Sequence, residues 1–205
     1  MRDILHIRPA VTDDIETIIS MIDEAAAWLG TKGIDQWATP WPTEAARNAR
    51  VLRGITGGGT WMVEDDGYPV GTITYRQKGN QKLWTAGELC DPAVYVSRLI
   101  VSRKYMGNQI GAALIDWAGY QAWKAWKAQW IRVDVWTTNI ALHNYYKKQR
   151  FAPIRICEFN NPYSYPSAAL FQKPIAEIDP RAADQFTIVN GSSPGPGMAA
   201  LQTCP

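Results

Sequence analysis

The sequence predicts a mixed α/β domain in which a mostly antiparallel central sheet is flanked by helices. Three observations predict it. Two short β-rich runs, Thr60 to Glu64 and Pro69 to Tyr75, enclose Asp65-Asp-Gly67, a hairpin signal. A later β-rich run, Ala93 to Val101, passes through a glycine-bearing turn into an apolar helix, Ile110 to Ala128, and then into the alternating run Trp130 to Trp136, giving a β-α-β unit. Two stretches ahead of the hairpin have the 3.6-residue period of amphipathic helices.

The elements follow in chain order. Ile4 to Arg8 alternates apolar and polar residues, as a half-buried strand does. Thr12-Asp-Asp-Ile-Glu opens a helix, with Thr12 as N-cap and acidic side chains in the first turn, where the helix dipole favours them. Ile15, Ile18, Ile19, Ile22, Ala25 and Ala26 carry that helix to Trp28. Gly30 to Pro42 is a loop rich in Gly, Pro and Trp, and Thr43 to Arg53 is a second helix closed by Gly57-Gly-Gly. Gln77 to Pro92 reads as an irregular polar loop. In the helix from Ile110, the residues Ile110, Leu114, Trp117 and Ala118 share one face. In the strand that follows, Ile131, Val133 and Val135 alternate with Arg132, Asp134 and Trp136. Ile140 to Lys148 is a short helix, and Phe151 to Phe159 and Ala168 to Gln172 supply the last strands. From Pro174 periodicity is lost, and Gly191-Ser-Ser-Pro-Gly-Pro-Gly197 has the composition of a linker. The expected organisation is one domain over residues 1–173 and a flexible tail over 174–205.

Composition narrows the function classes. The 205 residues suffice for one domain with a full core. A net charge of +2 gives no whole-chain attraction to nucleic acid or membrane. No apolar run approaches the roughly 20 residues of a membrane span. The first apolar run is too short for a signal peptide. Cys90, Cys157 and Cys204 are widely spaced and form no CxxC pair, which suggests neither a metal site nor a disulfide framework and fits a cytoplasmic setting.

The chemistry concentrates in the strand-turn-helix from Val96 to Leu114. A helix N-terminus presents unpaired N–H groups and partial positive charge, which bind phosphate, and Gly107 and Gly111 allow close approach to the backbone. A second signature follows, running from Asn139 through Tyr146 to Phe151. Together the two resemble the GNAT family of N-acetyltransferases over about residues 4 to 173. In that family a strand ending in Val enters a (Gln/Arg)-x-x-Gly-x-(Gly/Ala) turn, matched here by Val101 and by Met106-Gly-Asn-Gln109-Ile-Gly111. Gln109 stands at the first family glycine and Met106 at the usual Gln or Arg. The family's Asn-x-x-Ala-x-x-x-Tyr-x-x-x-Gly-Phe is met at Asn139, Tyr146 and Phe151, with Leu142 for the Ala and Arg150 for the last Gly.

The resemblance implies an acetyltransferase fold that takes acetyl-CoA as co-substrate and a small-molecule amine as acceptor, acting as a monomer or homodimer. It implies donor contacts along Leu99, Ile100 and Val101 and around Met106, Gly107, Asn108, Gln109, Ile110, Gly111 and Ala112. Arg103 and Lys104 either reach phosphate or form a solvated charge pair. Tyr146 is expected to protonate the leaving thiolate, or else to pack against Leu142. Asn139 either bonds the pantetheine arm or caps the following helix. Asp134 is the candidate contributor to base catalysis, aligning a base or pairing with Arg132, and His143, one turn from Asn139, either serves as a base or points to solvent. Trp28, Asp35, Gln36 and Trp37 mark the acceptor site, where aromatics and one carboxylate suit a flat or cationic amine. An alternative donor, an aminoacyl-tRNA or acyl-carrier protein, is suggested by the departures at Met106 and Gln109. The interleaved Tyr120, Trp123, Lys124, Trp126, Lys127 and Trp130 can form a nucleic-acid surface and suggest it too.

Overall fold

The computed structural model describes residues 5–158 and 166–189. Among these residues eight strands form one sheet in the order β6-β7-β5-β4-β3-β2-β1-β8. They are β1 (Leu5–Pro9), β2 (Thr60–Asp65), β3 (Tyr68–Arg76), β4 (Ala93–Val101), β5 (Trp130–Val135), β6 (Ala152–Ile156), β7 (Ala169–Pro174) and β8 (Phe186–Ile188). Neighbours run antiparallel except β4 with β5 and β1 with β8. The expected mixed, mostly antiparallel sheet is therefore present.

Helices cover both faces. On one lie α1 (Ile15–Gly30) and α2 (Glu44–Thr56), whose Ile18, Met21, Ile22, Val51 and Ile55 pack with Met62 and Ile100 of the sheet. On the other lie α4 (Ile110–Trp126) and α5 (Ile140–Lys148), which share the main core with Trp61, Ile73, Val96 and Val133. That core is aromatic at its centre: Trp117 meets Trp61 edge-on at 5.1 Å. The sheet thus separates an α1/α2 side from an α4/α5 side, and the candidate site spans the two.

Four expectations are corrected. Thr12 does not cap α1; Thr12–Asp14 is a 3-10 turn, and Asp14 accepts from the Val11 N–H at 2.7 Å and pairs with Arg8 at 2.8 Å. The loop after β3 contains a short helix, α3 (Ala86–Cys90), closed at its N-terminus by a Thr85–Glu88 capping box. Cys90 is disulfide-bonded, and Cys157 is a free thiol. The domain also does not end at residue 173. Ile175, Ala182 and Phe186 are buried in the main core, and β8 pairs with β1, the Val189 N–H donating to Ile7 O at 3.0 Å. The first two ride on 3-10 turns (Ile175–Glu177 and Pro180–Gln185), so their spacing matches neither helix nor strand. Phe159 and Gly191 to Gly197 lie outside the described residues.

Candidate active site

The site originates in a parting of two parallel strands. β4 and β5 pair only from Ala93↔Trp130 to Val96↔Val133. At that point β4 bulges: Arg98 has φ 46° and the register with β3 slips between Thr72 and Thr74. β4 then runs on to Val101 beside β3 alone, while β5 ends at Val135. The opening between them is a cleft of about 860 Å³, walled by residues 96–101 on one side and by Asp134 and Val135 on the other. Backbone groups of Leu99, Ile100 and Val101 that point away from β3 therefore face the cleft with no strand of the described residues beside them. Ser97 Oγ, in the same wall, is buried and has no hydrogen-bond partner among the described residues.

The turn after β4 forms one end of the cleft. Gly107 (φ 87°) and Gln109 (φ 58°) both lie in the left-handed region and lead directly into α4. The first helical bond reaches Gln109 O from the Ala113 N–H at 3.0 Å. Among the described residues no side chain caps this helix, so the N–H groups of Ile110, Gly111 and Ala112 are available to an anion. Gly111 packs close to Tyr145: a Cβ there would sit 2.9 Å from the Tyr145 hydroxyl. Met106, Gly107, Gln109, Ile110, Gly111 and Ala112 line the cleft; Asn108 does not. Arg103 lies over the Trp28 ring at 3.5 Å, tying this turn to α1.

α5 brings in the second signature. Asn139 Oδ1 accepts from the Leu142 N–H at 2.9 Å, the N-cap role, and its amide donates to Gln36 Oε1 at 2.7 Å. Both side chains are buried, so this pair fixes the start of α5 to the loop after α1. Tyr146 is almost fully buried, packing edge-on to Phe151 at 5.2 Å, and still lines the cleft. Burial raises its phenol pKa above the ordinary value of 10.0, with smaller contributions from Tyr145 and the Asp134 charge. Burial likewise pushes Tyr145 up to about 12. His143 does not point to solvent: it is buried against Phe171, its Nε2 2.9 Å from Trp136 O. Asp134 lines the cleft, and the carboxylate paired with Arg132 is Asp91, at 2.5 Å.

On the acceptor side Trp28, Gln36 and Trp37 line the cleft, and Asp35 does not. Asp35 instead accepts from Trp136 Nε1 at 2.9 Å and Thr138 Oγ1 at 2.8 Å, bonds that lower its pKa. Sequence reasoning missed the arginines of this wall, Arg47, Arg50, Arg53 and Arg76. The i, i+3, i+6 spacing of the first three on α2 was the available signal. The basic and aromatic residues of α4 lie elsewhere: Lys124 and Lys127 cover Tyr120 and Trp123, and none of the four lines the cleft. Among the described residues no group of three or more His, Cys, Asp or Glu is placed to hold a metal ion, and no helix is long and apolar enough to cross a membrane.

The cleft fits an extended ligand with a phosphate-rich end. The orphaned Ser97 hydroxyl, the unpaired β4 edge and the uncapped α4 N-terminus follow one another along it. Comparison with known proteins identifies the family. An uncharacterised N-acetyltransferase, YesJ of Bacillus subtilis, is 26% identical over 150 residues, 70% of this chain and 79% of that protein. A GNAT-family acetyltransferase from Listeria monocytogenes superposes with TM-score 0.63 at 23% identity, covering 83% of this chain and 94% of its own. The PaiA N-acetyltransferase of Thermoplasma acidophilum, solved in complex with coenzyme A, superposes with TM-score 0.60 at 18% identity, covering 83% and 98%. Residues 23–151, which carry the parted strands, the α4 turn and both tyrosines, match the Acetyltransferase (GNAT) family, and the chain is a member of that family.

Proposed function

We propose that the chain is an N-acetyltransferase that moves an acetyl group from acetyl-CoA to the primary amine of a small molecule. One observation carries this reading: the unpaired β4 edge, the uncapped α4 N-terminus and the buried Tyr146 phenol converge in a single cleft. A structural neighbour solved with coenzyme A supports the choice of donor. When bound, acetyl-CoA supplies an acyl group activated as a thioester. The N–H groups of Ile110, Gly111 and Ala112 bind phosphate oxygens, and the backbone of Leu99 to Val101 pairs with the pantetheine arm as an added strand would. The acceptor amine enters from the α1/α2 side. As the N–C bond forms and the C–S bond breaks, Tyr146 gives its proton to the departing sulfur and recovers one from solvent. Asp134, the one carboxylate among the described residues of the lining, takes the proton that the nitrogen loses.

Calorimetric titration with acetyl-CoA, together with Tyr146→Phe, tests this reading. Micromolar donor binding is expected, and the variant should lower kcat by about 100-fold, within the range for a positioned acid, with little change in donor affinity. Because burial raises the phenol above 10.0, any alkaline fall in kcat belongs above that pH. Wild-type turnover in the variant removes the acid role. Absence of acetyl-CoA binding, with salt-sensitive binding of tRNA, selects the other donor.

A further inference from the structure

Six arginines line the cleft: Arg103 stacks on Trp28 at the turn after β4, and the other five are Arg47, Arg50 and Arg53 from α2, Arg76 from the end of β3, and Arg98 from the β4 bulge. Among the described residues the lining holds one acidic side chain, Asp134, and no lysine. These five arginines lie away from the phosphate end: Arg76 pairs in register with Tyr95 near the start of β4, whereas the phosphate-binding turn follows the end of β4 at Val101. Thr60 and Thr74 share a hydrogen bond at 2.8 Å on the α2 side, and Arg76 projects to the same face two residues on. Arg98 is positioned there too: its Nε donates to Thr74 Oγ1 at 3.3 Å, and its Nη2 would lie 2.7 Å from a Cβ at Gly54 of α2. Gly54 is the space that admits this guanidinium.

The charges are unequally compensated. Arg47 pairs with Asp23 at 2.6 Å, and Arg50 donates to Trp41 O and lies over its ring. Arg53 and Arg76 are exposed and make no side-chain ion pair among the described residues. Guanidinium groups stay charged at any working pH. Five of them around a concave wall focus a positive potential that repels polycations and draws in anions.

We propose that the acceptor carries an anionic group, carboxylate or phosphate, besides its amine, and that Arg53 and Arg76 bind that group while Arg98 orients it. The substrate class is then small amino acids or amino phosphates rather than polyamines. This rests on the acetyl-transfer reading above. It replaces the cationic acceptor suggested by the tryptophans and Asp35, since Asp35 lies outside the cleft lining.

The test uses the full chain with acetyl-CoA and a panel of acceptors: the standard amino acids, O-phosphoethanolamine, ethanolamine and spermidine. At least one anionic amine should exceed ethanolamine and spermidine in kcat/KM, and Arg76→Gln should raise its KM about tenfold with kcat kept, the scale of one charge-assisted bond. Arg53→Lys should retain more affinity than Arg53→Gln. Titration of the preferred amine into protein without acetyl-CoA should show the same loss of affinity in Arg76→Gln. Which anionic amine leads tells carboxylate from phosphate. Preference for spermidine or ethanolamine, or an Arg76→Gln effect equal for all acceptors, overturns the inference. A protein that binds the anionic amine through Arg76 but no acetyl-CoA overturns the donor reading instead.

Discussion

Gln109 and Arg150 occupy the two positions where the family motifs carry glycine, and both adopt left-handed backbone, φ 58° and 66°. Both positions thus hold a backbone conformation that glycine adopts more readily than the residue present. An L-side chain in this conformation costs about 1–2 kcal/mol, because Cβ crowds the following carbonyl. At Gln109 the side chain also lines the cleft beside the N–H groups that bind phosphate. Gln109→Gly should therefore raise Tm by a few degrees, at roughly 2–4 °C per kcal/mol for a chain of this size, and tighten acetyl-CoA binding. Thermal melts and donor titrations of the single variant measure the two effects separately. An unchanged Tm means the left-handed turn is unstrained, and unchanged affinity means the Gln109 side chain does not crowd the donor.

Elements whose signals are local matched the sequence reading closely. β4 (Ala93–Val101) and α5 (Ile140–Lys148) have the bounds that periodicity indicates, because β-branched density and helical spacing are properties of the segment itself. The Arg98 bulge was not legible, since it arises from pairing with β3 and not from β4 alone. α3 was missed because five residues are too few to show a period. This short helix is anchored by charge. Glu88 accepts two bonds from Arg155 of β6, each 2.7 Å, and one from the Thr85 N–H at 2.7 Å. Arg155 foremost holds the Glu88 pKa down at about 2, against 4.5 for a free side chain. A depressed folded value stabilises the protein above the unfolded pKa, and that contribution is lost as pH falls through the folded one. Glu88→Gln should lower Tm at neutral pH, and the gap from the parent should close as pH drops from 4.5 toward 2. Parallel melts across that window provide the measurement; a gap that persists at the acid end assigns the effect to packing.

At the scale of the whole molecule, the site was legible as two signatures but not as a cleft. Val101, Gly111, Asn139 and Tyr146 could be marked through the resemblance to the family motifs, whereas the arginine wall and the Gln36–Asn139 link join residues far apart in sequence. The same limit hid the closing strand. β8 adds to β1 at the sheet edge, and Phe186 reaches Trp117 edge-on at 6.4 Å. Ile175 and Ala182 fill the rest of that end of the core, and Lys173 pairs with Asp116 of α4 at 2.6 Å, the Asp179 N–H donating to the same carboxylate at 3.0 Å. A flexible tail would contribute nothing to stability. A segment that buries a phenylalanine and an isoleucine in the main core contributes much of the molecule's margin, because native stability is only about 5–15 kcal/mol. Phe186→Ala should cost about 3–5 kcal/mol by leaving a cavity beside Trp117, a fall in Tm of roughly 10 °C at this chain length. Ending the chain at residue 173 should cost more, because it also uncovers β1 and strips Ile175 and Ala182 from α4. Melts of both variants beside the parent decide the matter: unchanged Tm in each returns residues 174–189 to the status of a tail, and a loss confined to the truncation assigns the stabilising role to β8 pairing rather than to Phe186.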